Sequence, residues 1–188
     1  GKPYLFHNNH DGTFTNIAPG TGLFTTTFSM GGNFGDLNND GFPDAYLGTG
    51  NISYKSVIPN KMFLNLGGKN FTDITSASRT GNLQKGHSVS IADLDNDGDK
   101  DIFIEVGGAF PGDAYQNALY VNNLSAENNW ISISLTGVSS NRSAIGTKLK
   151  ITISENGTKR YIYQEVNSGG SFGSNPLRKE TGLASATI

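Results

Sequence analysis

Asp36-Leu-Asn-Asn-Asp-Gly-Phe-Pro-Asp44 and Asp93-Leu-Asp-Asn-Asp-Gly-Asp-Lys-Asp101 are two versions of one nine-residue loop. Each sets oxygen-bearing side chains at positions 1, 3, 5 and 9, with a glycine at position 6. A hard divalent cation such as Ca²⁺ takes six to eight oxygens at about 2.3–2.6 Å, and a tight loop of alternating carboxylates supplies most of them. The side-chain candidates are Asp36, Asn38, Asp40 and Asp44 in the first loop, and Asp93, Asp95, Asp97 and Asp101 in the second. Position 7 would add its backbone carbonyl, from Phe42 and from Asp99. Gly41 and Gly98 permit a turn that a residue with a side chain takes only with strain. Two Ca²⁺ sites are therefore expected.

The flanks say what the loops connect. A helix-flanked calcium site needs a bidentate Glu at position 12, where this chain has Leu47 and Ile104. His87-Ser-Val-Ser-Ile-Ala-Asp93 leads into the second loop and Asp101-Ile-Phe-Ile-Glu-Val106 leads out of it. Both runs are short and rich in β-branched or aromatic residues, so they read as strands. A plain Asn/Asp/Gly turn without metal is the competing reading. It is disfavoured because three or more carboxylates crowded into nine residues repel one another unless a cation neutralises them.

The two loops are separated by 57 residues, and the same offset aligns much else. Leu5, Met62 and Leu119 fall together, as do Phe6, Phe63 and Tyr120, and Asn8, Asn65 and Asn122. Phe14 falls on Phe71, Ile17 on Ile74 and Asn60 on Asn117. A period of this length marks a repeat whose units bury their faces against one another. Strands are expected at 4–8, 13–17, 29–35 and 44–48 of the first unit, the number that a β-propeller blade needs. No useful run of helical periodicity occurs, so the fold class is all-β, with two such units and the start of a third at Ala118–Asn122.

Leu5–Ile17 with Phe34–Gly48, and again Met62–Ile74 with Ile91–Gly107, resemble the FG-GAP/VCBS repeats of integrin-α-like β-propellers. The region after them resembles the ASPIC/UnbV domain that accompanies such repeats in cartilage-acidic-protein-like secreted proteins. Its marks are Asn129-Trp-Ile-Ser-Ile-Ser-Leu-Thr-Gly137, Ser140–Gly146 and Gln164–Phe172. The resemblance implies propeller blades over 1–127, a small β domain over 128–188, and Ca²⁺ held by the loop residues named above. Asn38 stands where the family pattern carries Asp, which implies a weaker first site.

Propellers close with about four to eight blades. Two would leave apolar faces and a strand edge open, so the chain is expected to be part of a longer polypeptide or to complete a ring with other material. The net charge of −2, from 14 basic and 16 acidic residues, recommends neither nucleic acid nor an anionic membrane as partner. There is no cysteine, hence no disulfide or thiol chemistry, and no apolar run long enough to span a membrane as a helix. Extracellular calcium modules bind at roughly 10⁻⁴–10⁻³ M, which points to a secreted or cell-surface setting.

Past residue 128 the pattern changes. Trp130–Leu135 and Lys148–Ile153 alternate as half-buried strands do, and Asn156-Gly157 supplies a two-residue hairpin turn into Lys159–Val166. The Lys and Arg residues of these strands are read as a solvated face, Trp130 as a core or interdomain anchor, and Asn167–Ser171 as an ordinary loop. His7, His10 and His87 form no motif with a nucleophile, so no enzymatic activity is expected. The expected function is a calcium-binding recognition or adhesion scaffold for a protein or glycan ligand. The alternatives are a structural subunit of a larger surface assembly, with blades supplied by other subunits, or the non-catalytic part of a secreted metal-dependent hydrolase or lyase.

Overall fold

A computed structural model describes residues 1–25, 27–51, 58–108, 110–124, 128–155 and 157–186. Short alternating runs interrupted by Gly, Asn and Asp turns give an all-β chain. The strands of the repeat region are β1 (Phe6–Asn8), β2 (Phe14–Asn16), β3 (Ser29–Gly35), β4 (Asp44–Thr49), β5 (Lys61–Leu66), β6 (Asn70–Asp73), β7 (Gly86–Ala92), β8 (Asp101–Val106) and β9 (Ala118–Tyr120). Shifting β3 and β4 by the 57-residue period lands on β7 and β8 end to end.

The period is as expected, but the sheets are cut at a different phase. The four strands anticipated as one unit do not form one sheet. β1 and β2 make a two-stranded sheet, whereas β3, β4, β5 and β6 make a four-stranded antiparallel sheet, followed by a three-stranded sheet of β7, β8 and β9. The reason lies in the connections. The acidic loop closes β3 onto β4 and the Gly67-Gly68 turn closes β5 onto β6, while the residues from Ile17 to Phe28 carry the chain from β2 across to a new sheet.

The sheets stack face to face. Leu5 of the N-terminal segment packs with Leu23, Ala45, Phe63 and Phe71 on one face of the four-stranded sheet. Leu37, Tyr46 and Met62 on its other face pack against Val89, Ile91, Ile102, Ile104 and Val106 of the next sheet. The innermost strands β3 and β7 run side by side, and β3 is glycine-rich because β7 comes so close. A β-carbon on Gly31 would collide with the His87 carbonyl, and one on Gly35 with the Ile91 side chain. At their outer ends the sheets part around a cleft of about 660 Å³, lined by Met62, Ile74, Ile102 and Tyr120 among others.

The C-terminal strands are β10 (Asn129–Ile133), β11 (Lys148–Glu155), β12 (Thr158–Glu165) and β13 (Lys179–Ala184). β11 and β12 form the expected hairpin: Glu155 pairs with Thr158, which leaves two residues in the connection. Asn156 of that turn lies outside the described residues, and Gly157 takes φ +78°. Ile153, Ile162, Leu183 and Ala186 make a small core beneath it. β10 pairs instead with β13, and its alternation does not half-bury it. Residues 129–132 are exposed, because the strand has a neighbour along one edge and little packed on its face.

Candidate metal centre

Each acidic loop is the hairpin connection between two inner strands, and both fold by the same hydrogen bonds. The position-1 carboxylate accepts two backbone amides. Asp36 takes those of Asp40 (3.0 Å) and Gly41 (2.9 Å), and Asp93 takes those of Asp97 (3.1 Å) and Gly98 (3.2 Å). Position 3 also accepts the position-5 amide, through Asn38 and Asp95. Position 5 accepts the position-7 amide, with Asp40 bonded to Phe42 and Asp97 to Asp99. The chain reverses through left-handed residues, Asn39 and Gly41 in one loop and Asn96 and Gly98 in the other. That conformation favours Gly and tolerates Asn.

Position 9 ties the loop to its sheet. The Asp44 carboxylate accepts the amides of Leu37 (2.8 Å) and Asn65 (2.8 Å), and Asp101 accepts those of Leu94 (3.0 Å) and Asn122 (2.9 Å). Both side chains are buried. Burial pushes the Asp44 carboxyl up to about 7, against the two amide bonds that favour its ionised form.

The second loop brings the carboxylates of Asp93, Asp95 and Asp97 together, one oxygen from each lying within 4.8 Å of the others. This all-oxygen donor set could hold a metal ion, and its hardness suits Ca²⁺ or Mg²⁺ better than a soft transition metal. Asp99 keeps its carboxyl above the usual range through burial and then through the charges of Asp97, Asp93, Asp101 and Asp95. A cation would relieve that crowding. In the first loop Asn38 replaces one carboxylate and its amide donates to Asp40 Oδ2 (3.1 Å), so protein hydrogen bonds take up part of the donor set.

Several residues that hold the loops are not among the expected ligands. Asn39, fully buried, donates from its side chain to the Gly98 carbonyl (3.0 Å) and to Asp99 Oδ1 (3.1 Å), linking one loop to the other. The buried Lys100 ammonium reaches back to the Asp36 carbonyl (3.1 Å). Burial pulls its pKa down, opposed by the charges of Asp36 and Glu180. From β13, the Gly182 amide gives Asp36 Oδ2 a further hydrogen bond (3.0 Å), and Glu180 accepts the Asp93 amide (3.0 Å). Arg178 bonds Asn96 Oδ1 and the Asp93 carbonyl, and pairs with Glu180.

Arg160 corrects the reading of the basic residues in β12 as a solvated face. It donates to the Asp40 carbonyl (2.8 Å), pairs with Glu155 and lies 4.6 Å from the centre of the Phe42 ring. Trp130 is exposed rather than part of a core, and its indole lies against Gly98, occupying the space where a β-carbon would stand. The only sequence signal for these partners is indirect: polar or small residues within an otherwise alternating strand.

Duplicate loops in the same structural setting, at a fixed period, define a repeat family. A family model described as the FG-GAP-like repeat matches residues 1–47 and again 50–104, more than half of the chain. The chain belongs to the FG-GAP-like repeat family. No curated protein matches it. The second FG-GAP-like match begins between β4 and β5, inside the four-stranded sheet, so the sequence repeat and the sheet are offset from one another. Among the described residues no helix is long and apolar enough to cross a membrane.

Proposed function

We propose that the chain is a calcium-binding recognition scaffold of the integrin-α-like propeller type, working outside the cell and without catalysis. The observation that carries this reading is the convergence of the Asp93, Asp95 and Asp97 carboxylates within a loop folded like its partner 57 residues earlier. Asp36, Asn38, Asp40 and Asp44 would hold one Ca²⁺, and Asp93, Asp95, Asp97 and Asp101 another, with the Phe42 and Asp99 carbonyls completing the shells. In this reading the cation supplies charge neutralisation and stiffness, and the stacked sheets supply a rigid platform for a protein or glycan ligand. Residues 1–127 would be propeller blades and 128–188 an ASPIC/UnbV-like domain. The packing of that second region against both loops supports a role in bracing them.

Calorimetric titration of the metal-free chain with Ca²⁺ tests the reading. The expected result is two sites with dissociation constants near 10⁻⁴–10⁻³ M. With about 1 mM Ca²⁺ and a dissociation constant of about 0.1 mM, each site adds about 1.4 kcal/mol of stability. No heat of binding, together with identical unfolding in calcium and in chelator, overturns it. The alternative of a structural subunit draws support from the uncovered apolar faces at both ends of the stack.

A further inference from the structure

The repeat makes it possible to ask of each exposed apolar residue what its counterpart one period away is doing. On the four-stranded sheet, Leu37, Tyr46 and Met62 face the next sheet and are 6 %, 0 % and 3 % exposed. Tyr46 and Met62 are direct cross-strand partners. One period later stand Leu94, Phe103 and Leu119, which are 53 %, 38 % and 52 % exposed, and Phe103 and Leu119 are again direct partners. Ile102, Ile104 and Tyr120, which alternate with them, point the other way into the inter-sheet core. The three-stranded sheet therefore presents, to solvent, the same apolar face that its predecessor buries.

The opposite end of the stack shows the complementary half. Phe63 and Phe71 face the N-terminal segment and pack into its core. Their counterparts one period earlier, Phe6 and Phe14, are 61 % and 63 % exposed, and the pairing of Asn8 with Phe14 puts both rings on one face of the β1–β2 hairpin. Tyr4 stacks on Phe6 with ring centroids 5.7 Å apart and extends that face. Isolated exposed apolar residues are ordinary, but a contiguous set on one sheet face marks an interaction surface.

We propose that the chain associates head to tail with a second copy of itself, the Tyr4–Phe6–Phe14 face of one copy covering the Leu94–Phe103–Leu119 face of the other. The occupant is argued from the molecule's own interior. Inside one chain, the face carrying Tyr46 and Met62 is covered by the next sheet, with the Tyr120 ring 6.4 Å from that of Tyr46, and Phe63 and Phe71 by Leu5 and Leu23 of the N-terminal segment. A second copy brings Phe6, the counterpart of Tyr120, onto the one face and Leu119, the counterpart of Leu5, onto the other, and so repeats contacts that the chain already makes inside. Such an interface is heterologous, using two different patches, so it builds rings or open chains rather than a twofold dimer. The inference depends on the stacking of repeats and not on metal binding.

Sedimentation velocity on the 188-residue chain in calcium, across the micromolar range, reads the association directly. Three outcomes carry the proposal. The mass of the native chain rises with concentration. Phe6→Lys with Phe14→Lys, or Phe103→Lys with Leu119→Lys, each weakens association by about tenfold or more, since a charge is costly in a desolvated apolar interface. An equimolar mixture of the two double variants forms a heterodimer that grows no further. All substituted side chains are exposed, and circular dichroism with thermal unfolding verifies that the variants fold. A native chain that stays monomeric overturns the proposal. So does self-association that survives in either variant, because the contact would then use one patch twice. A chain that associates but binds no calcium sinks the metal reading alone.

Discussion

The two acidic loops share a backbone, a hydrogen-bond scheme and a position in their sheets, yet they solve their electrostatics differently. The loop from Asp36 carries three carboxylates and is surrounded by donors from elsewhere in the chain: Gly182 on Asp36, Lys100 on the Asp36 carbonyl, and Arg160 on the Asp40 carbonyl. The loop from Asp93 carries five carboxylates, and the side chains of Asp95 and Asp97 stand open to water. One is held largely by protein groups, whereas the other brings together three carboxylates that could hold a metal ion. Two loops of one backbone pattern thus differ in their electrostatics, both because Asn38 and Phe42 stand where the second loop has Asp95 and Asp99 and because the surroundings supply different donors.

The sharpest way to break this comparison is to remove a residue that ties its loop to the sheet besides offering an oxygen to a cation. Asp44→Ala strands the buried amides of Leu37 and Asn65 and should cost about 3 kcal/mol, at about 1–3 kcal/mol per unsatisfied group. Thermal unfolding should register this loss in chelator, and a further loss in calcium from the missing ligand. A loss seen only in calcium would make Asp44 purely a metal ligand. The same residue sets a pH dependence. Its folded pKa of about 7 exceeds the unfolded value, so the native state binds the proton more tightly. In chelator, the stability contributed by Asp44 is complete below about pH 4 and is lost as pH rises through about 7. Calcium should flatten or reverse that slope, and Asp44→Asn should abolish it.

Asp97→Ala sharpens the comparison from the other side. It should remove about 1.4 kcal/mol of stability in 1 mM calcium and little in chelator. Asp40→Ala should show a smaller calcium-specific loss, because its loop starts with fewer carboxylates. Equal losses would mean that the two loops depend on cations alike. Converting one loop toward the other is the third test: Asn38→Asp should tighten calcium binding at the first site by about tenfold, the scale of one added charge at close range in a partly screened site. The smallest effect is expected from Arg178→Ala, about 1 kcal/mol from partly exposed hydrogen bonds. Its fingerprint is faster amide hydrogen exchange at Asp93–Asp97 with the Asp36 loop unaffected.

Much of this arrangement was legible in the chain itself, and the limit of legibility has a physical origin. The loops, the period, β3 with β7, β4 with β8, and the β11–β12 hairpin all follow from local chemistry: alternation, turn residues and ligand spacing. The phase of the sheets does not. Periodicity states which residues share a face but not which neighbouring hairpins join edge to edge. The partners of the loops are less legible still. Arg160 meets Asp40 across 120 residues and Asn175 meets Asn33 across 142, and nothing in a local pattern distinguishes an arginine that reaches a carbonyl from one that faces water. β10 is the converse case, since its alternation is real but finds no second layer to pack against.

The Gly182 amide that completes the hydrogen bonding of Asp36 arrives 146 residues after it in the chain. During synthesis, which proceeds from the N-terminus, the Asp36 loop emerges well before β13, which carries this donor. Long-range closures of this kind slow folding. The Asp36 loop thus leaves the ribosome before its Gly182 donor exists, and a nascent chain interrupted before β13 carries that carboxylate without this partner.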